Sequence, residues 1–181
     1  MKRLWWLLIG LLPFGLSANE MKVPFSVPVD FSKKGTIYET DFKTSMNPFG
    51  SEVSFQLFPE IDWVSSNSEE YKISRYIFEG HPQKITSYFK IKITLIPLGW
   101  ASNDITIWIK KVKKEFTKGQ RIEEIVSVPL YGGGFSKTLM IADLQRLRNY
   151  HIKVESLEDV ELPTTDCLHI KFAIEEYSAK H

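Results

Sequence analysis

Cys167 and His169 stand two residues apart, and His151 and Glu155 lie in the preceding apolar-polar alternation. A thiol beside an imidazole can be activated as a nucleophile, and His, Cys and Glu are all competent zinc ligands. If residues 150 to 154 and 168 to 174 pair as one long hairpin, His151 and His169 share its polar face, and a metal-dependent hydrolase becomes one reading. A Cys-His pair alone lacks the orienting third group and the oxyanion donors that acyl transfer needs. The sequence therefore assigns no catalytic residue, no metal ligand and no cofactor-binding residue, and the polar face is expected to be solvated.

Other segments carry weaker chemistry. Gly132-Gly133-Gly134 has neither the Gly-Lys-Ser/Thr of a phosphate loop nor dinucleotide-fingerprint spacing, so it is expected to be a loop flanked by Tyr131 and Phe135. The acids Glu155, Glu158, Asp159 and Glu161 lack the spacing and central glycine of a calcium loop. Lys110, Lys111, Lys113 and Lys114 can meet an acidic partner or anionic lipopolysaccharide, although lysines so placed more often keep an edge strand from pairing with another chain. Trp63 and Trp100 fall in expected loops, and Trp108 projects from the lysine-flanked side of its strand. Such aromatics anchor protein interfaces or stack on sugars. The expected partner-binding residues are Trp63, Trp100, Tyr131 and Phe135.

The elements that position these residues follow from period. Phe89, Ile91, Ile93 and Leu95 alternate with Lys90, Lys92 and Thr94, so the former set faces inward. Val53, Phe55 and Leu57 form a strand expected to end at Pro59. Ile105, Ile107 and Ile109 form another, Thr138 to Leu144 a further one, and Pro129 confines the stretch after Ile122 to an edge. Residues 37 to 42 form a strand of ambiguous inner face. Pro24 and Pro28 limit the first segment to an edge or a lead-in. Ser68 caps an expected helix ending at Gly80, with Tyr71, Ser74, Ile77 and Phe78 near one face. Tyr150, at the start of a late strand, is expected to send its hydroxyl back to the preceding loop. Short strands with one helix predict a mainly β fold, an antiparallel immunoglobulin-like β-sandwich.

Residues 1 to 18 have the layout of a secretory signal: Lys2 and Arg3, an apolar run from Leu4 to Leu12, and small residues at Ser17 and Ala18. The run is too short to span a membrane, so residues 19 to 181 are expected to form a single domain that is periplasmic or secreted. Cleavage removes two of 23 basic residues against 22 acidic ones. That balance argues against a nucleic-acid partner. Cys167 is the only cysteine, which excludes an intrachain disulfide.

Phe31-Ser-Lys-Lys-Gly35, the helix ending at Gly80, Ile93-Thr-Leu-Ile-Pro-Leu98 and Asn149-Tyr150 followed by Val154 to Leu162 together resemble an uncharacterised bacterial envelope family known only as a domain of unknown function. The resemblance implies an exported sandwich and supplies no catalytic residues. The expected function is a non-enzymatic binding protein of the cell envelope, with another envelope protein as partner, for example an immunity protein blocking an envelope-acting toxin. A carbohydrate-binding module is the alternative beside the hydrolase.

Overall fold

The computed structural model describes residues 21–46, 52–61, 68–81, 83, 87–99, 104–132, 134, 136–163 and 168–176. Two sheets form a β-sandwich. The first holds five strands: β1 (Met21–Lys22), β3 (Ile37–Lys43), β10 (Asn149–Ser156), β5 (Tyr88–Pro97) and β8 (Ile122–Pro129), in that spatial order. The second holds six: β2 (Phe25–Pro28), β11 (Leu168–Glu176), β4 (Glu52–Ile61), β9 (Lys137–Asp143), β6 (Ile105–Ile109) and β7 (Val112–Phe116). All pairings are antiparallel except β1 with β3.

Alternation fills the space between the sheets. Phe89, Ile91, Ile93 and Leu95 of β5 and Ile152 and Val154 of β10 are fully buried. They meet Phe55, Leu57, Ile107, Met140, Phe172 and Ile174 of the opposite sheet. The ambiguous strand β3 turns Tyr38 and Phe42 inward. Phe42 lies edge-on to Phe55 at 6.0 Å and stacked with Tyr150 at 5.7 Å, while Tyr38 tilts against Phe172 at 5.7 Å. These contacts set β3 opposite β11 and β4. Thr94 differs from its expected exposure: it is on the outer face yet only 3% exposed, because its ladder neighbours Lys153 and Glu123 carry longer side chains on both sides.

Prolines show which backbone sides lack a partner. Leu130 N–H donates to Ser87 O, Leu98 N–H to Asn149 O and Val29 N–H to Ile170 O. In an antiparallel ladder such bonds recur at every second residue. The nitrogen of Pro28 therefore points off the edge of β2, and that of Pro129 off the edge of β8. In β5 the nitrogen of Pro97 points past the start of β8, whose ladder begins at Leu95. Likewise, Pro59 points toward β9 beyond the last pair, Leu57 with Lys137. This corrects the expectation that β4 stops at Pro59: it continues to Ile61 paired with β11, since the missing N–H would have met no acceptor.

The expected hairpin from Tyr150 to Ile174 is not formed. Strand β10 lies between β3 and β5 in the first sheet, and β11 between β2 and β4 in the second. The intervening residues cross from sheet to sheet, with Val160 N–H donating to Ser32 O at 2.7 Å and Asp159 Oδ1 accepting from Lys34 N at 2.9 Å.

Helix α1 (Glu69–Glu79) begins where expected, Ser68 Oγ accepting from Tyr71 N at 3.1 Å, and stops at Gly80, whose φ of 110° suits glycine. Its buried face is Ile73, Ile77 and Phe78 rather than the expected Tyr71, which is exposed. Ile73 and Ile77 are four apart and share one stripe; Tyr71 lies on the side of Phe78 but two turns earlier, in the first turn of the helix, where it is exposed.

Tyr150 does what its position predicts. Its buried hydroxyl accepts from Gln145 N–H at 2.9 Å, and burial raises its pKa. Thr44 Oγ1 completes the corner, donating to Gln145 O at 2.7 Å and accepting from Arg148 N–H at 3.1 Å. Replacing Tyr150 by Phe leaves the Gln145 donor unpaired, at a cost of about 1–2 kcal/mol; thermal denaturation should show a fall of roughly 2–8 °C in Tm. The β6–β7 turn holds Lys110 and Lys111 at φ 47° and 69°, positions that favour Asn-Gly. Lys111→Gly should raise unfolding stability by about 0.5–1 kcal/mol in urea titration.

Candidate interaction surface

The two outer faces differ in chemistry. On the five-stranded sheet, cross-strand rows put His151 beside Asp41, Lys153 beside Glu39 and Lys92 beside Glu155. His151 Nδ1 lies 2.7 Å from Asp41 Oδ1, Lys92 Nζ 3.5 Å from Glu123, and Lys90 Nζ 2.6 Å from Glu158. Lys153, Glu39 and Glu155 form no ion pair among the described residues, but acids and bases alternate from strand to strand, so this face is a mixed-charge lattice whose polar groups keep it in water.

The six-stranded sheet presents a different row. Trp108 of β6 pairs with Ile141 of β9, which pairs with Ser54 of β4, which pairs with Glu175 of β11. The next row contains Gln56 and Ala173. Ser54, Gln56 and Ala173 are buried although they face outward, and Gln56 Nε2 donates to Ser54 Oγ at 2.5 Å. Small, internally satisfied groups thus form a floor, with the half-buried Trp108 and Ile141 rising beside it.

An open groove of about 680 Å³ runs here, lined among others by Trp108, Ile141, Thr138, Glu52, Lys110 and Lys111. A bulge at Leu139 lets Phe55 pair with Met140 while Gln56 pairs with Thr138, and bulges re-aim side chains in this way. Lys113 is held by Glu115 at 2.6 Å and Lys114 by Glu124 at 2.6 Å. Lys110 and Lys111 form no ion pair among the described residues. The groove has an aromatic wall, an uncompensated cationic end and a carboxylate at Glu52. A neighbouring groove of about 360 Å³ lies against Phe58, Lys171 and Ala173.

The end of the sandwich holds a second feature, one without any signature in the residue pattern. Lys137 is only 4% exposed. Its ammonium donates to Ile77 O at 3.1 Å, to Gly134 O at 3.2 Å and to Gly132 O. Gly132 N–H and Gly134 N–H in turn donate to Tyr76 O and Phe78 O of the helix. A lysine next to a glycine-rich loop gives no periodic signal of burial. Its three donors are matched by three carbonyls, and desolvation lowers its pKa.

Of the expected partner-binding residues, Tyr131 is half-buried and edge-on to His81 at 5.6 Å, with His81 4.5 Å from Tyr76; burial, then the Glu161 carboxylate, raise its pKa. Trp63, Trp100, Phe135 and Cys167 lie outside the described residues. His151 and His169 do not converge, a correction that follows from the separation of β10 and β11 onto different sheets. His169 stands opposite Glu60 in β11 and β4, and no group of three or more His, Cys, Asp or Glu is gathered among the described residues. Lys113 and Lys114 occupy the edge strand β7, as expected of lysines that discourage pairing.

No protein-family model and no curated protein matches the chain. Among solved structures it is similar to a Sulfurospirillum deleyianum protein, GEBA250068378, at 13% identity and a TM-score of 0.50, over 87% of this chain and 98% of that one. The likeness concerns the sandwich fold alone. A decameric BFDV capsid protein aligns at 8% identity and a TM-score of 0.29, over 82% of this chain and 98% of its own. No helix among the described residues is long and apolar enough to cross a membrane.

Replacing Lys137 by Met removes the donor from three carbonyls and should cost about 1–3 kcal/mol. Because the native ammonium deprotonates below the ordinary lysine range of about 10.4, the unfolded chain holds more protons across the intervening window. Stability contributed by this group therefore rises with pH there. Denaturant unfolding at neutral and alkaline pH should show the wild type gaining stability relative to Lys137→Met as that window is entered.

Proposed function

We propose that the chain is an exported, non-enzymatic binding protein of the bacterial cell envelope, with another envelope protein as its partner; an immunity protein blocking an envelope-acting toxin is one concrete form. The observation that carries this reading is the contrast between the sheet faces. The five-stranded face sets acids and bases side by side on neighbouring strands, whereas the six-stranded face offers Trp108 and Ile141 beside Lys110 and Lys111, two cations without an ion pair among the described residues. Interface centres are enriched in aromatic anchors such as Trp, with charged and polar groups at the rim. The leader-like residues 1 to 18 and the resemblance to an envelope family support the location.

A second reading has a specific observation behind it. Trp108 stands on a sheet face with Glu52 and Lys110 around it, a platform on which a sugar ring can stack while polar groups take its hydroxyls. This is the carbohydrate-binding alternative.

Capture from envelope extract with immobilised protein, compared with Trp108→Ala and with the double variant Lys110→Glu, Lys111→Glu, separates the two. A stoichiometric protein retained by the wild type and lost about tenfold or more by both variants is expected for a central aromatic anchor. Glycan-array binding lost on Trp108→Ala, without a captured protein, would instead select the sugar-binding reading. Retention of the same partner by all three proteins would refute the Trp108 face as the site.

A further inference from the structure

Among the described residues, the sandwich is one strand short beside β8. The aromatic contacts that set β3 opposite β11 and β4 and the strand orders carry β8 to a position opposite β6 and β7. The edge of the six-stranded sheet therefore projects beyond β8, and Lys114 of β7 reaches across to Glu124 of β8 at 2.6 Å. Val112, Lys114 and Phe116 are the inner-face residues of β7, in register with Ile109, Ile107 and Ile105. Yet Val112 is 57% exposed. An inner-face valine in water marks a position that no strand covers among the described residues.

The edge beside it is open. Since Leu130 bonds Ser87, the alternate residues Glu123, Ile125 and Ser127 turn their backbone N–H and C=O groups away from β5, and none takes a backbone partner among the described residues. Ile125 is 58% exposed at the middle of this edge. The other edges are blunted: β7 by lysines, β2 by Pro28, and β1 by its two-residue length. In β8 such devices stand only at the two ends, Glu123 and Glu124 near its start and Pro129 at its finish, which leaves the stretch from Ile125 to Val128 without one.

The geometry points to a strand-acceptor site: a partner protein's extended segment adds to β8 as the missing strand, seated over β7, with alternate apolar side chains against Ile125 on one side and Val112 and Phe116 on the other. The backbone groups require an extended main chain. Lys110, Lys111 and Lys118 form no ion pair among the described residues, so the segment carries acidic residues at its ends. A second copy of this chain is a poor fit, since its own projecting β7 would occupy the same space. The inference rests on the reading of the chain as a binding protein; it shares Lys110 and Lys111 with the Trp108 groove but is centred on the edge of β8 instead.

The test is a displayed library of eight-residue peptides selected on the full chain, followed by affinity measurement of the enriched peptides on variants. Acidic sequences with alternating apolar residues are expected. Their affinity should fall about tenfold or more on Ser127→Pro, which removes an outward N–H and spares the β5 ladder, and on Ile125→Lys, which places a charge on an exposed site. N-methylation of alternate peptide amides should weaken binding by a similar factor, and His151→Ala should change nothing. Enrichment of no peptide, or peptides insensitive to Ile125→Lys, would overturn the site. Peptides lost on Trp108→Ala but unaffected by Ile125→Lys and Ser127→Pro would overturn it while leaving the Trp108 surface standing.

Discussion

A β-strand has two rows of backbone donors and acceptors, and each row must meet another strand, a side chain or water. In this chain that requirement decides more than the hydrophobic pattern does. Pro28, Pro59, Pro97 and Pro129 all lie within strands, where a missing N–H would ordinarily break a ladder. Each nitrogen points to a side with no facing strand at that residue among the described residues. Prolines are thus compatible with central β4 and β5 because those ladders are shorter on one side than on the other. The sheet outline and the proline positions are two views of one constraint.

Much of the fold was legible because burial has a period. Phe89, Ile91, Ile93 and Leu95 announce an inner face, and Ser68 and Gly80 announce the ends of a helix, through interactions confined to a few residues. Partner choice is a different matter. Residues 150 to 154 and 168 to 174 alternate alike whether they pair with each other or enter opposite sheets, and the competing partners, β3, β5, β2 and β4, lie far off in sequence. The hairpin expectation, and the convergence of His151 and His169 with it, failed at that step. Tyr150 was readable for the opposite reason: its hydroxyl partner, Gln145, is only five residues away.

Lys137 shows how a buried charge can be kept without a carboxylate. Its ammonium meets three carbonyls, one from the C-terminal turn of α1 and two from the glycine loop. The helix C-terminus carries negative partial charge, which offsets part of the cost of excluding water, although burial still leaves the pKa lowered. The same loop returns Gly132 and Gly134 N–H to Tyr76 O and Phe78 O. The segment expected to be a loop is thus held at Gly132 and Gly134, and Tyr131 joins the packed end through His81.

The outer surfaces then divide by how completely their chemistry is met. On the five-stranded face, Asp41 with His151, Glu123 with Lys92 and Glu158 with Lys90 compensate one another at 2.6 to 3.5 Å. Around β6, β7 and β8 the matching is incomplete in three independent ways: cations of the 110 to 118 segment without ion pairs among the described residues, an inner-face valine in water, and backbone groups of β8 with no facing strand. Any one of these occurs on ordinary surfaces. An isolated uncovered valine is a small loss, and an open edge alone can be left to water. Their coincidence along one side is harder to reconcile with a surface selected only for solubility, because blunting β8 would need a single outward lysine at Ile125, and the neighbouring strand β7 uses lysines in that way.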